Sequence, residues 1–522
     1  MSVSKATFKV LEDETGKESP KKEIKEDKVS SEKEIHDFAK ELGVEFYQDQ
    51  FSNNVAVYRK HYYLISNSEF ESFIGRKFFE KNGTLWNEGT WSKFIKITTY
   101  DCMSNTKFFP LRVHVEGDTI YYDSGKGIWK FANEEAKVYL AEDNEIPVIF
   151  RRYKHQMEAP LKETTRTAKE IIEEITSKFN IKDFRPETIP LFFCSEHPHP
   201  INLISGDPGA AKSTFSLFIK TLVDPDQVDK LSIPEMKNIS DFGMHRQQFY
   251  VLLYDNVRNF DKNQSDELCR MVTGGTSITR KLYTDGELYI TKGLPRIIIN
   301  GLRPEPSSFN DLLDRTLLFD MNRITNSKPE RTIWRELNGT MAELRYACLR
   351  DMSAAMVLAY EQEFPEMPRM SEYCLLGESL NVLWGGELGS FVGWFKERMA
   401  IAHAAGMDDP FTIVLKGYLD ANKGVLKQGI QYSASEWRFK LEEWGKDVVV
   451  RQNAYGEEYK TKDFLRPDMA LCIDEKEFPK NANWVGRRFR DVAPLLHQFG
   501  YTIDVNRTSK ESVILIKYIK EM

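Results

Sequence analysis

Hydrophobic and polar positions change their spacing several times along the chain, and each change marks a predicted structural unit. Residues 36–155 contain short segments in which aromatic and β-branched residues alternate with polar ones, which predicts strands in a small N-terminal α+β domain. Residues 185–325 place apolar, strand-like runs between helical stretches, the pattern of a parallel sheet with crossover helices. Residues 326–430 have mainly helical spacing and are interpreted as a helical lid region. The sequence therefore predicts an α/β protein whose central unit is a parallel sheet.

Two further segments precede and connect these units. Residues 1–35 carry eight Lys and nine Asp or Glu with few apolar side chains, so we expect a disordered, charged tail. A DNA-binding arm is the alternative for this tail, and its interleaved acidic residues argue against that role. Residues 156–184 link the N-terminal domain to the parallel sheet, and helical spacing over 162–175 predicts a linker helix.

The C-terminal segment, residues 431–522, is predicted to be a winged-helix domain that binds DNA. Helical spacing covers 434–445 and 483–499, and two short strands follow at 502–505 and 512–517. A helix followed by a β-hairpin is the arrangement of a recognition helix and its wing.

Basic residues support DNA binding by this segment. Arg487, Arg488 and Arg490 lie near the start of the second helix, where recognition-helix side chains reach a major groove or phosphates. Residues 483–522 hold seven Lys or Arg against four Asp or Glu, whereas the whole chain has a net charge of −7. Protein contact or packing against the lid is the alternative role of this domain.

Composition narrows the class of protein. The chain has 522 residues, of which 41% are hydrophobic and 29% charged, the balance of a globular protein with several domains. No apolar run approaches the ~18 residues of a membrane span, and no apolar segment follows a basic start. The six cysteines are scattered without a CxxC pair, as expected for reduced thiols. We therefore expect a cytoplasmic protein without a membrane partner.

A glycine-rich loop between a predicted strand and a helix indicates a phosphate-binding site. Strand, loop and helix together let backbone N–H groups surround a polyphosphate such as that of ATP. Lys212 would reach the β- and γ-phosphates, and Ser213 would offer its hydroxyl to Mg²⁺. A chance glycine-rich turn before a helix is the alternative. The loop residues are Gly206, Asp207, Pro208, Gly209, Ala210, Ala211, Lys212, Ser213 and Thr214.

Ala211 stands where this type of loop usually has Gly. A methyl group suits a residue in the first turn of a helix but not a residue with positive φ, so we expect helical backbone at Ala211.

Two apolar strands end in polar residues that complete the predicted nucleotide site. Asp255 ends the strand over 248–254, at the edge where a parallel sheet presents its ligand-binding groups, and is the second predicted Mg²⁺ ligand. Asn256 replaces the usual glutamate base; its amide can orient water but cannot accept a proton. Asn300 ends the strand over 296–299 and could contact the γ-phosphate or position water.

Arg315 is the candidate for a residue that acts on a neighbouring subunit. It lies immediately before a predicted strand, and arginine is always charged and can contact two phosphate oxygens. The alternative is an ion pair with Asp311 or Asp314 at a helix end.

The order of these elements resembles that of the AAA+ class, specifically superfamily 3 helicases and the P-loop domains of phage, plasmid and poxvirus-type primase-helicases. Residues 273–292 look like the pre-sensor β-hairpin of that family, whose basic tip tracks single-stranded DNA through a hexamer. The phosphate loop is also similar to that of MCM replicative helicases, which carry Ala before the Lys. The pair Asp255 and Asn256 resembles the second motif of ATP-binding proteins from prophages and integrative elements.

This resemblance covers about residues 185–322 and implies roles for individual residues. ATP and Mg²⁺ are the implied ligands, and a homo-hexameric ring is the implied assembly. Asn300 is similar to sensor 1 and Arg315 to the arginine finger that acts in trans. Arg331 and Arg335 are candidates for a second arginine sensor.

The hairpin is also predicted from its own residues. Two alternating strands surround Asp285-Gly286, a strong turn signal. Arg280 and Lys281 could contact a DNA backbone, and Tyr283 could stack on a base. A purely structural hairpin is the alternative when the pattern is considered alone.

These features predict an ATP-dependent, ring-forming DNA helicase or replication initiator of a mobile genetic element, with single-stranded DNA and replication proteins as partners. One alternative is a DNA-binding ATPase switch or loader that hydrolyses slowly and does not unwind; Asn256 favours it, and the hairpin favours the helicase. Another is a non-hydrolysing scaffold that recruits replication proteins. Metal-dependent nucleotidyl transfer needs carboxylates clustered at the end of a strand. Asp118 and Asp123 are five residues apart and would lie on opposite faces of a continuous strand, so we expect no polymerase activity.

Overall fold

The computed structural model describes residues 31–140, 148–206, 208–258, 260–280, 288–291, 293–301, 310–324, 329–361, 363, 367–405, 410–445, 447–452, 458–463, 481–497, 499–507 and 512–519. Across these residues, no helix is long and apolar enough to cross a membrane.

The N-terminal unit is a three-stranded antiparallel sheet packed against three helices. Aromatic side chains dominate its core, with Phe70 and Phe94 fully buried. Residues 31–35 were predicted to belong to the charged tail, but they form the start of the first helix, where Ile35 is buried. The elements are α1 Ser31–Glu41, β1 Glu45–Gln48, β2 Asn54–Tyr58, β3 His61–Leu64, α2 Ser68–Asn82 and α3 Glu88–Met103.

A second antiparallel sheet of four consecutive strands follows. Its inner face packs into the same hydrophobic core as the parallel sheet described below, so the predicted N-terminal domain does not have a core of its own throughout. Asp118 lies in the turn before the second strand of this sheet and is exposed, whereas Asp123 is buried and accepts two hydrogen bonds from Arg152, at 2.6 and 2.7 Å. The strands are β4 Val113–Glu116, β5 Thr119–Asp123, β6 Gly127–Ala132 and β7 Glu135–Leu140.

A buried ion pair fastens this second sheet to the central unit. Arg112 Nε donates to Asp224 Oδ1 at 3.0 Å, and Asp224 Oδ2 accepts from the N–H groups of Tyr250 and Val251. Burial alone would raise the pKa of Asp224, but Arg112, Lys220 and the backbone donors together hold that pKa below its usual range. The charge of Asp224 is therefore retained inside the protein, where it fixes the start of the strand that leads to Asp255.

The central unit is a parallel four-stranded sheet, as predicted. The strand order is β13-β8-β12-β9, so β12 lies between the strand that enters the phosphate loop and the strand that ends before Asp255. The elements are α4 Ala168–Thr176, β8 Ile201–Gly206, α5 Lys212–Val223, α6 Asp241–Gln248, β9 Val251–Tyr254, α7 Lys262–Val272, β10 Ser277–Arg280, β11 Leu288–Thr291, β12 Arg296–Asn300, α8 Asn310–Leu313 and β13 Thr316–Met321.

The predicted hairpin is present as the antiparallel pair β10 and β11. Arg280 pairs with Leu288, whereas a two-residue turn at Asp285-Gly286 would pair Arg280 with Thr291. The intervening residues 281–287 lie outside the described residues. The pairing of β10 with β11 therefore does not fit a two-residue turn at Asp285-Gly286.

The helices predicted to form a lid contribute to two different cores. The long helix α9, Glu330–Glu361, packs on α4, on α5 and on α10, Ser371–Leu383, and α10 in turn packs on α11, Ser390–Ala405. In contrast, α12, Pro410–Ala421, and α13, Lys423–Leu426, bury their apolar side chains in the C-terminal core. The C-terminal unit therefore begins near residue 410 rather than at 431.

The C-terminal unit contains the predicted helices and strands within two residues of their expected bounds. A three-stranded antiparallel sheet, ordered β14-β18-β17, packs on the helices around the fully buried Trp437. The elements are β14 Ile430–Ser433, α14 Ala434–Gly445, β15 Asp447–Gln452, β16 Glu458–Asp463, α15 Ala482–His497, β17 Tyr501–Arg507 and β18 Ser512–Tyr518.

Candidate nucleotide site

The loop between β8 and α5 begins at a position that only glycine can occupy. Gly206 has φ +141°, and a Cβ added there would lie 2.1 Å from the carbonyl oxygen of Met321. Met321 is the register partner of Gly206 on β13, so the close approach follows directly from the pairing of the two strands. Glycine therefore lets the chain leave the sheet edge and turn back into α5.

The backbone of Ala211 is not helical, contrary to the expectation from its side chain. Its φ is 61° and its ψ is 25°, which is the left-handed region, and it forms the N-cap of α5. A left-handed backbone costs a residue with a Cβ roughly 1–2 kcal/mol relative to the ordinary helical region. The expectation of helical backbone at Ala211 was wrong, because the loop has to turn sharply before α5 can start.

Lys212 and Ser213 occupy the first turn of α5 and point back toward the sheet edge. Lys212 Nζ donates to the carbonyl oxygen of Gly206 at 2.7 Å, so the lysine spans the loop from its end to its beginning. The Ser213 hydroxyl donates to Asp255 Oδ1 at 3.1 Å. Ala210 is buried beneath the loop, whereas Pro208 and Gly209 are exposed, and Asp207 lies outside the described residues.

Asp255 is held between the predicted serine partner and a lysine that sequence reasoning did not identify. Lys230 Nζ lies 3.0 Å from Asp255 Oδ2. The backbone places the lysine there, because Leu231 pairs in parallel with Tyr254 and its carbonyl oxygen accepts from the Asp255 N–H at 3.1 Å. No motif marks Lys230, whose position depends on pairing between segments distant in sequence.

Asn256 and Asn300 are joined by hydrogen bonds that extend to α5. The Asn256 N–H donates to Asn300 Oδ1 at 3.2 Å, and Asn300 Nδ2 donates to Ser216 Oγ at 3.2 Å. Ser216 Oγ in turn donates to the carbonyl oxygen of Lys212 at 2.9 Å. Because β12 lies between β8 and β9, the predicted sensor connects the phosphate-loop helix to the residue after Asp255.

The backbone of Asn256 gives a physical reason for its side chain. Its φ is 58°, a left-handed conformation that Asn adopts more readily than most residues with a side chain. A glutamate at this position would carry additional backbone strain. Asn therefore suits the turn at position 256 better than the glutamate base that would be expected there.

Arg315 lies at the amino ends of the parallel strands, whereas the Gly206–Thr214 loop lies at their carboxyl ends. It precedes β13, whose other end reaches the phosphate loop after six residues, or ~20 Å. Its guanidinium forms an ion pair with Asp311, and Asp314 pairs with Arg369 at 2.5 Å. The pairing considered as the alternative is thus present, and any contact between Arg315 and nucleotide would have to be with a neighbouring subunit.

Arg323 is a second residue near the site that sequence reasoning missed. It follows β13, and its Nε lies 4.0 Å from the position of a Cβ added to Gly209. The Asn322 N–H donates to the Asn180 carbonyl oxygen at 2.9 Å, which fixes the backbone beside Arg323. Its side chain is exposed at the mouth of the loop. No local motif marked Arg323, because its approach to Gly209 depends on the pairing of β13 with β8, which the sequence alone does not show.

The predicted DNA-contacting residues are described only in part. Lys281 and Tyr283 lie outside the described residues. Arg280 is the last residue of β10, and only its backbone is described. On α15, Arg487 and Arg490 are exposed, whereas the Arg488 guanidinium lies 5.8 Å from the centre of the Phe411 ring. Arg488 therefore packs partly against α12, and the other two arginines face outward.

The donors at this sheet edge fit a magnesium ion bound with nucleotide. No group of three or more His, Cys, Asp or Glu side chains suited to a metal occurs among the described residues. Ser213 and Asp255 supply a hydroxyl and a carboxylate, which are hard oxygen donors 3.1 Å apart. Mg²⁺ is commonly held by one or two such protein groups together with substrate phosphates and water.

The fold and this edge define an α/β protein in which a glycine-containing loop joins the parallel sheet to the helix carrying Lys212 and Ser213. Residues 191–391 match the model of a family described as actinomycete integrative conjugative element replication protein. That stretch contains the loop, Asp255, Asn300, Arg315 and Arg323. A comparison with curated proteins finds no match.

Solved structures show distant likeness. The chain is similar to the apo structure of the NrS-1 C-terminal region, with 12% identity, a TM-score of 0.40, and coverage of 93% of this chain and 98% of that one. It is also similar to JCV helicase, with 11% identity, a TM-score of 0.21, and coverage of 42% of this chain and 61% of that one.

Proposed function

We propose that this protein is an ATPase that acts in the replication of a mobile genetic element as a ring-forming DNA helicase or replication initiator. The observation that carries the proposal is the convergence of Lys212, Ser213 and Asp255 beside a turn that requires Gly206. The family matched over residues 191–391, described as a replication protein of an integrative conjugative element, supports the replication context.

The chain's own groups account for nucleotide binding. The N-terminus of α5 directs backbone N–H groups and the positive end of the helix dipole toward the loop, where they would bind phosphates. Lys212 would exchange the Gly206 carbonyl for the β- and γ-phosphates. Ser213 and Asp255 would hold Mg²⁺, which when bound neutralises phosphate charge and supports phosphoryl transfer.

Water activation is the weak step in this arrangement. Asn256 and Asn300 offer amide groups that can orient a water but cannot take its proton. Arg323 would contact the outer phosphate in the same subunit, and Arg315 of a neighbouring subunit would stabilise charge that develops in the transition state. We therefore expect slow basal turnover that depends on assembly.

Two surfaces would contact DNA in this proposal. The β10–β11 hairpin, with Arg280, Lys281 and Tyr283, would follow single-stranded DNA, and the winged-helix unit would bind duplex DNA through Arg487 and Arg490. Both arginines are exposed on one side of α15, spaced three residues apart. Hydrolysis at the loop would then move the hairpin relative to the rest of the ring.

A DNA-binding switch that does not unwind is the second candidate. The left-handed backbone of Asn256 favours it, because the position is unsuited to the missing glutamate. Such a protein would bind ATP, change its oligomeric state and hydrolyse the ATP slowly without unwinding DNA.

Strand displacement and particle imaging distinguish the two candidates. The wild type, Lys212→Ala and the exposed control Lys237→Ala would be mixed with ATP and a forked DNA carrying a labelled strand. A helicase displaces the strand in the wild type and the control but not in Lys212→Ala, and nucleotide-bound particles are rings. Rings without displacement support the switch, and the absence of both nucleotide binding and rings contradicts the proposal.

A further inference from the structure

Both carboxylate oxygens of Asp255 are engaged by groups of this chain. Ser213 Oγ donates to Oδ1 at 3.1 Å, and Lys230 Nζ lies 3.0 Å from Oδ2. The Asp255 and Lys230 side chains retain 23% and 37% of their full exposure, so bulk water only partly screens the pair. A positive charge therefore already occupies the group that the proposed function assigns to metal.

The position of Lys230 is fixed by its backbone. Leu231 N–H donates to the Leu253 carbonyl oxygen at 2.8 Å, and the Leu231 carbonyl oxygen accepts from Asp255 N–H at 3.1 Å. These bonds place residue 230 beside the carboxyl end of β9, while the four-carbon stem leaves its ammonium free to reorient. The lysine is thus anchored at its base and movable at its tip.

We propose that Lys230 is a built-in counter-ion that keeps divalent metal off Asp255 until a nucleotide is bound. This inference rests on the proposed function, because it concerns the metal partner of that nucleotide site. In the nucleotide-free site, the ammonium neutralises Asp255 and repels a divalent cation. Bound phosphates attract the ammonium away from Asp255, and the carboxylate becomes available to the metal that accompanies the nucleotide.

Metal binding to nucleotide-free protein tests this directly. Mn²⁺ serves as the probe because it accepts the same hydroxyl and carboxylate donors and its free concentration can be read by electron paramagnetic resonance. Lys230→Met keeps the length of the side chain and removes its charge. The matched control is Lys237→Met, since Lys237 is an exposed lysine of the same connecting segment that pairs with Glu235 at 2.8 Å.

We expect Lys230→Met to bind Mn²⁺ about tenfold more tightly than the wild type without nucleotide, and Lys237→Met to match the wild type. Adding Asp255→Asn to Lys230→Met should abolish the gain, which places the effect at this carboxylate. Equal Mn²⁺ affinity in the wild type and Lys230→Met, including a lack of binding in both, would overturn the proposal.

A separate measurement keeps this result distinct from the fate of the proposed function. Binding of a fluorescent ATP analogue to the wild type and to Lys212→Ala reports on the nucleotide site itself. If Lys212→Ala no longer binds the analogue but Lys230→Met has unchanged Mn²⁺ affinity, the counter-ion role of Lys230 is overturned and the ATPase proposal stands. Wild-type protein that binds no analogue contradicts the ATPase proposal and with it the counter-ion.

Discussion

The backbone N–H of Asn256 donates to the side-chain oxygen of Asn300 at 3.2 Å, across two neighbouring parallel strands. Asn300 is almost fully buried, and its amide nitrogen donates to Ser216 on the helix that follows the phosphate loop. One side chain therefore connects the turn after Asp255 to the helix that carries Lys212. A displacement of the turn after Asp255 would therefore shift Asn300 and its hydrogen bond to the helix, and the reverse also holds.

The left-handed backbone of Asn256 predicts a difference between two small replacements. Asn256→Ala and Asn256→Gly both remove the amide, but only glycine adopts φ 58° without strain. We expect Asn256→Ala to have a free energy of unfolding about 1 kcal/mol lower than that of Asn256→Gly. Urea denaturation measures the difference, and equal stability of the two variants would contradict the strain assigned to this turn.

Ala211 predicts a gain in stability from a single methyl deletion. Its left-handed φ of 61° is strained for alanine and accessible to glycine. Ala211→Gly should therefore raise the free energy of unfolding by about 1 kcal/mol, less the small loss of methyl packing. Thermal unfolding without nucleotide measures this change; a lower unfolding temperature in Ala211→Gly would show that packing of the methyl outweighs the strain.

Arg323 is expected to distinguish nucleotides by their outermost phosphate. Because it lies over Gly209 at the mouth of the loop, Arg323→Ala should weaken ATP binding by about tenfold and change ADP binding much less. Arg331→Ala is the comparison, since Arg331 is an exposed arginine at the start of α9. Calorimetric titration with both nucleotides separates the two arginines, and an ATP-specific loss in Arg331→Ala alone would reverse the assignment.

Arg315 predicts an effect that depends on mixing subunits. The sheet separates it from its own phosphate loop, and Asp311 pairs with it. If it acts on a neighbour, Arg315→Ala should lower kcat by about 10³ and should also reduce turnover when mixed into wild-type rings. Hydrolysis measured over a series of mixing ratios checks this; turnover proportional to the wild-type fraction alone would exclude action between subunits.

Local sequence patterns predicted much of this fold and only part of the site. The alternation of apolar runs and helices predicted β8, α5, β9 and β12, because each signal is contained in one short segment. The left-handed backbone of Ala211 could not be anticipated, since it follows from how the loop connects β8 to α5. The position of α12 in the C-terminal core was missed for a similar reason, because helical spacing does not reveal which neighbour a helix packs against.

Lys230 and Arg323 illustrate why the site was incomplete. Lys230 reaches Asp255 through pairing of Leu231 with Tyr254, and Arg323 reaches Gly209 through pairing of β13 with β8. Contacts between segments distant in sequence carry no spacing signal in a single chain. Arg315 shows the reverse case: the sequence supplied two candidate partners, and in the structure Arg315 pairs with Asp311 while Asp314 pairs with Arg369.

Steady-state ATP hydrolysis, with and without single-stranded DNA, tests the central proposal most directly. The wild type would be measured beside Lys212→Ala and the exposed control Lys237→Ala. We expect slow hydrolysis that DNA stimulates, that Lys237→Ala retains and that Lys212→Ala abolishes. Hydrolysis unchanged in Lys212→Ala, or no hydrolysis by the wild type with or without DNA, would contradict the ATPase proposal.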